Sequence, residues 1–119
     1  MRAALAALLV VTLTAACEQP QQVQKAVEKD LPSTRIERAR GDAQAIASAV
    51  HMYATNFGTL PDSLDVLTRE TTQDGIVGGP YLVVVPAPPP GWSEYRYERK
   101  VDGTFAVTSA GDGTSVAAP

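Results

Sequence analysis

An apolar stripe between residues 34 and 57 constrains the fold more than any other feature of the sequence. Its members recur at spacings of three and four residues: Ile36, Ala39, Ala43, Ile46, Val50, Tyr53 and Phe57. This spacing places them on one face of an α-helix. Thr34 and Glu37 have the spacing of a capping box, and Gly58 is a natural stop, so we predict a helix over residues 34–57. The stripe is short for a coiled-coil seam, which favours packing on a sheet.

A β-hairpin is predicted near the C-terminus, and the register follows from its apolar residues. A three-residue loop over 101–103 pairs Tyr97 with Val107 and Arg99 with Phe105. The aromatic residues of the two strands then share a face, and the glycine of the loop takes the left-handed position that such loops require. A two-residue loop would mix the faces. We therefore expect the three-residue loop, with its apolar face on the helix stripe.

Shorter elements are expected between the helix and this hairpin. Three leucines, Leu60, Leu64 and Leu67, suggest a short helix that starts near Asp62 or Ser63. Residues 68–79 look like a loop, and the β-branched run 81–85 looks like a strand. The proline-rich segment 86–90 is either a ligand for a proline-binding domain or an extended connector, and we favour the connector.

These elements predict an α+β fold, in which a long N-terminal helix packs on a small three-stranded antiparallel sheet. The expected domain covers residues 34–115, followed by a disordered tail at 116–119. The expected core residues come from the stripe and the hairpin: Ile36, Ile46, Val50, Tyr53, Phe57, Tyr97, Phe105 and Val107.

The N-terminus has the layout of a secretory signal peptide. Arg2 precedes an uncharged run from Ala3 to Ala16, which is shorter than the roughly 20 apolar residues of a spanning helix. The stretch from Leu13 to Cys17 resembles a bacterial lipobox, in which the cysteine is lipidated after cleavage. Cys17 is the only cysteine of the chain, so we favour lipidation over an ordinary signal peptide that ends near Ala16.

The segment after the cysteine is polar and rich in glutamine. We interpret residues 17–33 as a tether between the lipid and the domain. These features place the protein on the periplasmic side of a bacterial membrane. Glu18, where inner-membrane lipoproteins often have Asp, favours the outer membrane.

The composition offers little chemistry. A net charge of −3 gives no basic footprint for nucleic acid, and one His with one Cys is too few for a structural zinc site. His51 has no second histidine to form a catalytic pair, and Asp62 with Asp65 looks like a solvated helix start. Trp92, with the tyrosines that follow it, could form an aromatic binding surface, although core packing explains those tyrosines as well. We predict a non-enzymatic protein.

Residues 35–115 resemble the globular part of the type II secretion major pseudopilin, the G-type. Four stretches carry the likeness in order: Tyr53 to Pro61 at the helix end; the short helix with Leu64 and Leu67; Gly78 to Leu82 with Pro86; and Tyr95 with Tyr97, followed by 102–105 and 108–113. The chain lacks the family's Gly-Phe cleavage site, its long apolar helix and the Glu near the start of that helix. The resemblance therefore implies a pilin-like domain on a lipid anchor.

The resemblance also implies a function and a metal. It implies a subunit or accessory of a type II secretion or type IV pilus-like machine, with other such subunits as partners; the alternative is a free-standing lipoprotein that uses a pilin-like domain to bind another ligand. The family binds calcium in the loop after its last strand, where Asp112 matches. Only Thr114, Ser115 and backbone carbonyls follow it, so we favour a plain turn at 112–113 and keep Asp112 as the one calcium candidate.

Overall fold

The computed structural model describes residues 31–119. The predicted signal peptide, Cys17 and most of the predicted tether lie outside this range. The elements are α1 (Pro32–Phe57), a 3₁₀ helix (Leu64–Thr68) and five strands: β1 (Thr71–Gln73), β2 (Ile76–Gly78), β3 (Arg96–Arg99), β4 (Phe105–Gly111) and β5 (Thr114–Ala118). Among the described helices, none has the length and apolarity needed to cross a membrane.

Helix α1 starts two residues earlier than predicted. Pro32 stands in its first turn, where the missing N–H costs no hydrogen bond, and Leu31 before it is extended, with ψ of 143°. The predicted capping box is wrong, because Thr34 lies inside the helix and no side chain caps its start. The predicted stop is confirmed: Gly58 has φ of 78°, and its N–H donates to the carbonyl of Ala54 at 2.8 Å.

The main sheet is antiparallel, with strand order β3-β4-β5. Its first hairpin has the predicted register, with Tyr97 opposite Val107 and Arg99 opposite Phe105. Gly103 closes the three-residue loop with φ of 88°. The hairpin prediction is therefore confirmed.

The third strand of this sheet comes from residues predicted to be disordered. Strand β5 pairs with β4 across a two-residue turn, in which Asp112 and Gly113 have φ of 51° and 75°. Val116 and Ala118 alternate inward and are buried, so the predicted tail at 116–119 is wrong. The short alanine side chains give only a weak strand signal in the sequence. Once the strand forms, side chains two positions apart lie on the same face, so Val116 and Ala118 both point into the core.

The predicted strand over 81–85 does not form, and the predicted loop over 68–79 contains a hairpin. In the first segment, the N–H groups of Tyr81 and Leu82 both donate to the carbonyl of Leu67, at 2.8 and 3.0 Å, instead of to a neighbouring strand. In the second, β1 and β2 pair across a turn in which Asp74 and Gly75 have φ of 53° and 81°. An Asp-Gly pair with positive φ at both positions favours such a hairpin.

The core lies between α1 and the strands β4 and β5. It consists of residues along one face of α1, one residue of the 3₁₀ helix, two aromatic residues that precede β3, and inward residues of β4 and β5: Ala39, Ala43, Ile46, Ala47, Ala49, Val50, Tyr53, Phe57, Leu67, Trp92, Tyr95, Phe105, Val107, Val116 and Ala118. Ile36 and Tyr97 are partly buried at its edge. The architecture is the predicted α+β one, a long helix on a small three-stranded antiparallel sheet.

Candidate functional site

The most elaborate polar site joins the first turn of α1 to the turn between β4 and β5. Both oxygens of the Asp112 carboxylate accept hydrogen bonds from Arg35, with Nε to Oδ2 and Nη2 to Oδ1 each at 2.8 Å. The indole Nε1 of Trp92 also donates to Oδ2, at 2.8 Å. We call these three residues the Arg35–Asp112–Trp92 cluster.

Backbone contacts hold Trp92 in this position. The next residue, Ser93, donates its N–H to the carbonyl of Ala110 at 2.9 Å and accepts the hydroxyl of buried Ser109 on its own carbonyl at 2.6 Å. The indole ring then lies against Gly111. A Cβ added at Gly111 would overlap the ring, so this position requires a glycine although its φ is not positive.

The environment of Asp112 strongly favours the ionised carboxylate. The hydrogen bonds from Arg35, followed by the one from Trp92, lower the pKa of Asp112 from 3.8 to about 2. The Arg35 and Asp112 side chains keep only 19% and 20% of their surface exposed, so solvent screens this pair less than a fully exposed one. The ion pair between Arg35 and Asp112 therefore connects the start of α1 to the β4–β5 turn.

The two tyrosines that follow Trp92 in the sequence, Tyr95 and Tyr97, also have polar partners. The hydroxyl of Tyr95 donates to Asp42 at 2.9 Å, and that of Tyr97 donates to the carbonyl of Pro61 at 2.8 Å. Burial, followed by the hydrogen bond to Asp42, raises the pKa of Tyr95. With Trp92 and Tyr95 buried, these rings pack in the core and do not form the aromatic binding surface considered from the sequence.

The remaining candidate residues are dispersed. His51 is exposed on α1 and touches the ring of Phe105 edge-on, with centroids 4.9 Å apart. Asp62 is exposed and accepts a hydrogen bond from Arg99 at 3.0 Å, and Asp65 is exposed as well. None of these contacts joins an acid or base to a nucleophile.

Several large apolar side chains are exposed within residues 31–119. Val83 and Val84 are 97% and 66% exposed, in the segment that was predicted to be a strand. Ile76 and Val77 on β2 are 45% and 60% exposed, and Val101 projects from the tip of the β3–β4 hairpin. Exposed valines that follow one another are available for contact with a partner.

Sequence reasoning singled out Asp112 but not its partners in the cluster. Arg35 lies 77 positions away along the chain, and a spacing of that size has no recognisable pattern. Trp92 was considered only as a surface residue. The signal for its position in the sequence is Gly111, because a glycine in a strand often marks the close approach of another group.

Residues 18–117 match the family described as type II secretion system (T2SS), protein G. The chain belongs to this family. No curated protein and no solved structure matches the chain.

Membership of the protein G family fits what the structure shows. Proteins of this family are structural pseudopilin subunits on the periplasmic side of the bacterial envelope, and they assemble with other subunits of the secretion machine. The matched region includes α1 and reaches into β5, so it covers nearly all of the described fold.

Proposed function

We propose that this chain is a membrane-anchored, non-enzymatic subunit or accessory of a type II secretion or type IV pilus-like machine, and that it acts through protein–protein contacts. The observation that carries the proposal is the family match over residues 18–117, on a chain with the α+β architecture described above. The dominant polar cluster, an ion pair that joins the two ends of the domain, is suited to holding a structure together rather than to converting a substrate.

A lipid on Cys17 would supply the anchor. Two observations support this proposal: the residues from Leu13 to Cys17 resemble a lipobox, and the family match begins directly after this cysteine. Acyl chains bind a bilayer by about 0.8 kcal/mol per buried CH₂ group, and stable anchoring takes more than one chain. Glu18 favours the outer membrane as the place of the anchor.

Mass spectrometry of the mature N-terminus from native membranes tests the anchor. We expect an acylated Cys17, cleaved from residues 1–16. An unmodified segment upstream of Cys17 would refute the lipid anchor and would leave a signal-anchored subunit. A Cys17→Ser variant should move the domain from the membrane fraction to the soluble fraction.

The exposed segment at Val83 and Val84 is a candidate contact with a neighbouring subunit of the secretion machine. A double variant, Val83→Asp with Val84→Asp, should keep the fold and reduce co-purification of such subunits from crosslinked cells. The matched control is Val101→Asp, since Val101 is at least as exposed as these two valines but stands at a hairpin tip. Unchanged co-purification in the double variant would exclude this segment.

The alternative function is that of a free-standing lipoprotein whose pilin-like domain binds another ligand or partner. The family match favours the secretion machine, but the lipobox-like sequence suits both. Secretion ATPase and secretin genes beside the gene for this chain would favour the first, and their absence the second. Loss of secretion on deletion of the gene is the functional test.

A further inference from the structure

The β4–β5 turn carries Asp112, for which the family resemblance implies a role in binding calcium, and the side chains around this turn test that implication. Calcium takes six to eight oxygen ligands, usually several of them carboxylates. Here Asp112 supplies one carboxylate, and residues 31–119 contain no group of three or more His, Cys, Asp or Glu side chains that could hold a metal. The donor set does not fit calcium.

The Asp112 carboxylate is also fully committed to other partners. The Arg35 guanidinium bonds both of its oxygens, and the Trp92 N–H bonds one of them as well. A calcium ion on this carboxylate would stand beside a guanidinium, which repels it, and would face an N–H donor instead of an oxygen ligand. Binding calcium would require both residues to leave.

The same geometry shows what takes the metal's place. A guanidinium is a permanent cation whose planar fork matches both oxygens of a carboxylate. It reaches the turn from the first turn of α1, so it joins two parts of the fold that lie at opposite ends of the domain sequence. Unlike a bound ion, a side-chain cation stabilises the fold at any calcium concentration, since no free ligand enters the folding equilibrium.

We propose that the Arg35 guanidinium is a built-in replacement for the calcium ion of this family, so that the β4–β5 turn and the start of α1 are held together without metal. Trp92 completes the site as the second donor to Asp112. Arg35 is therefore a positioning residue of the domain, and the fold is independent of calcium.

Thermal unfolding of the full chain in detergent micelles tests the proposal, with Trp92 fluorescence as the readout. Trp92 is the only tryptophan of the chain, so its emission reports on the cluster directly. We expect the wild-type Tm to be the same in excess EDTA and in millimolar calcium. Isothermal titration should detect no calcium binding. A saturable rise in Tm with calcium, absent with magnesium, would overturn the proposal.

Substitution of the arginine provides the second arm. Arg35→Met should lower the Tm by about 5 °C or more at every calcium concentration, and Arg35→Lys should recover part of the loss, because an ammonium keeps the charge but not the fork. The matched control is Arg40→Met, which removes an arginine from the same helix and breaks a more exposed ion pair with Glu37. Equal Tm values for Arg35→Met and Arg40→Met would refute the role of Arg35.

Discussion

The close contact between Gly111 and the indole of Trp92 predicts that a single methyl group added at Gly111 destabilises the domain. In Gly111→Ala, the new Cβ would lie 2.5 Å from the indole Cδ1, and carbon atoms do not approach that closely. The ring or the strand must move. Overpacking of this kind typically costs about 1–3 kcal/mol. Displacement of the ring would also weaken the hydrogen bond from Trp92 to Asp112 and add to that cost.

For a domain of this size, a loss of 1 kcal/mol lowers the Tm by about 4–8 °C, so a central loss of about 2 kcal/mol corresponds to about 8–16 °C. Circular dichroism at increasing temperature measures the shift, and Trp92 fluorescence shows whether the ring has moved. The matched control is Gly41→Ala, the same substitution at an exposed position inside α1 with free space around it. Alanine is favoured there by about 0.5–1 kcal/mol, so the two variants should shift the Tm in opposite directions.

A double-mutant cycle tests whether the loss of stability in Gly111→Ala comes from the clash with the Trp92 indole. In a Trp92→Leu background the Gly111→Ala substitution should cost much less, since the smaller side chain leaves room for the methyl group. Two results would refute the reasoning: a Gly111→Ala protein as stable as the wild type, or a cost that is the same in both backgrounds. The second result would assign the loss to the backbone of β4 instead of to Trp92.

Three further predictions concern other parts of the domain. Asp112→Asn should lower the Tm at pH 7, whereas Asp74→Asn in the β1–β2 turn should leave it nearly unchanged. Because its folded pKa lies near 2, Asp112 stabilises the domain fully above about pH 4 and loses this effect as the pH falls toward 2, so the gap between wild type and Asp112→Asn should close over that range in a pH series of melting curves. A constant gap would contradict the ion pair. Leu67→Ala should cost about 2–5 kcal/mol in urea unfolding, because this side chain is fully buried; a loss below 1 kcal/mol would mean that the 3₁₀ helix packs loosely. The double variant Val83→Asp, Val84→Asp should unfold within about 0.5 kcal/mol of the wild type, since both side chains are exposed, and a larger loss would show that the segment packs on the core.

The parts of the fold that the sequence could predict are those in which a local pattern determines the structure. The stripe from Ile36 to Phe57 repeats through seven positions, so it determines both the helix and its buried face. The β3–β4 register follows from the requirement that Tyr97 and Phe105 share a face, together with a glycine at the one position that needs positive φ. Both inferences depend on neighbours within about ten residues.

The errors occurred where tertiary partners override local propensity. The run from Tyr81 to Val85 has strand composition, but two of its N–H groups donate to the carbonyl of Leu67. The flanking residues Pro80 and Pro86 have no N–H with which to pair in a sheet. Strand β5 has weak propensity and forms because β4 offers it an edge. Propensity for β-structure is largely a statement about neighbours, and those neighbours are distant along the chain.

The two Asp-Gly turns show where sequence reasoning stops for the candidate site. Asp74 and Asp112 occupy the same position in two-residue turns, with φ of 53° and 51°, and each is followed by a glycine with positive φ. Sequence chemistry explains both turns equally well, because Asp and Gly tolerate the left-handed region. What separates them is the surroundings of the carboxylate: Asp74 is exposed, whereas Asp112 meets a guanidinium from the start of α1 and an indole from the segment before β3. The turn is determined by local sequence, whereas the contact between Asp112 and Arg35 depends on the whole fold. For that reason the sequence alone makes Asp112 a calcium candidate, and only the structure shows that a guanidinium occupies its carboxylate.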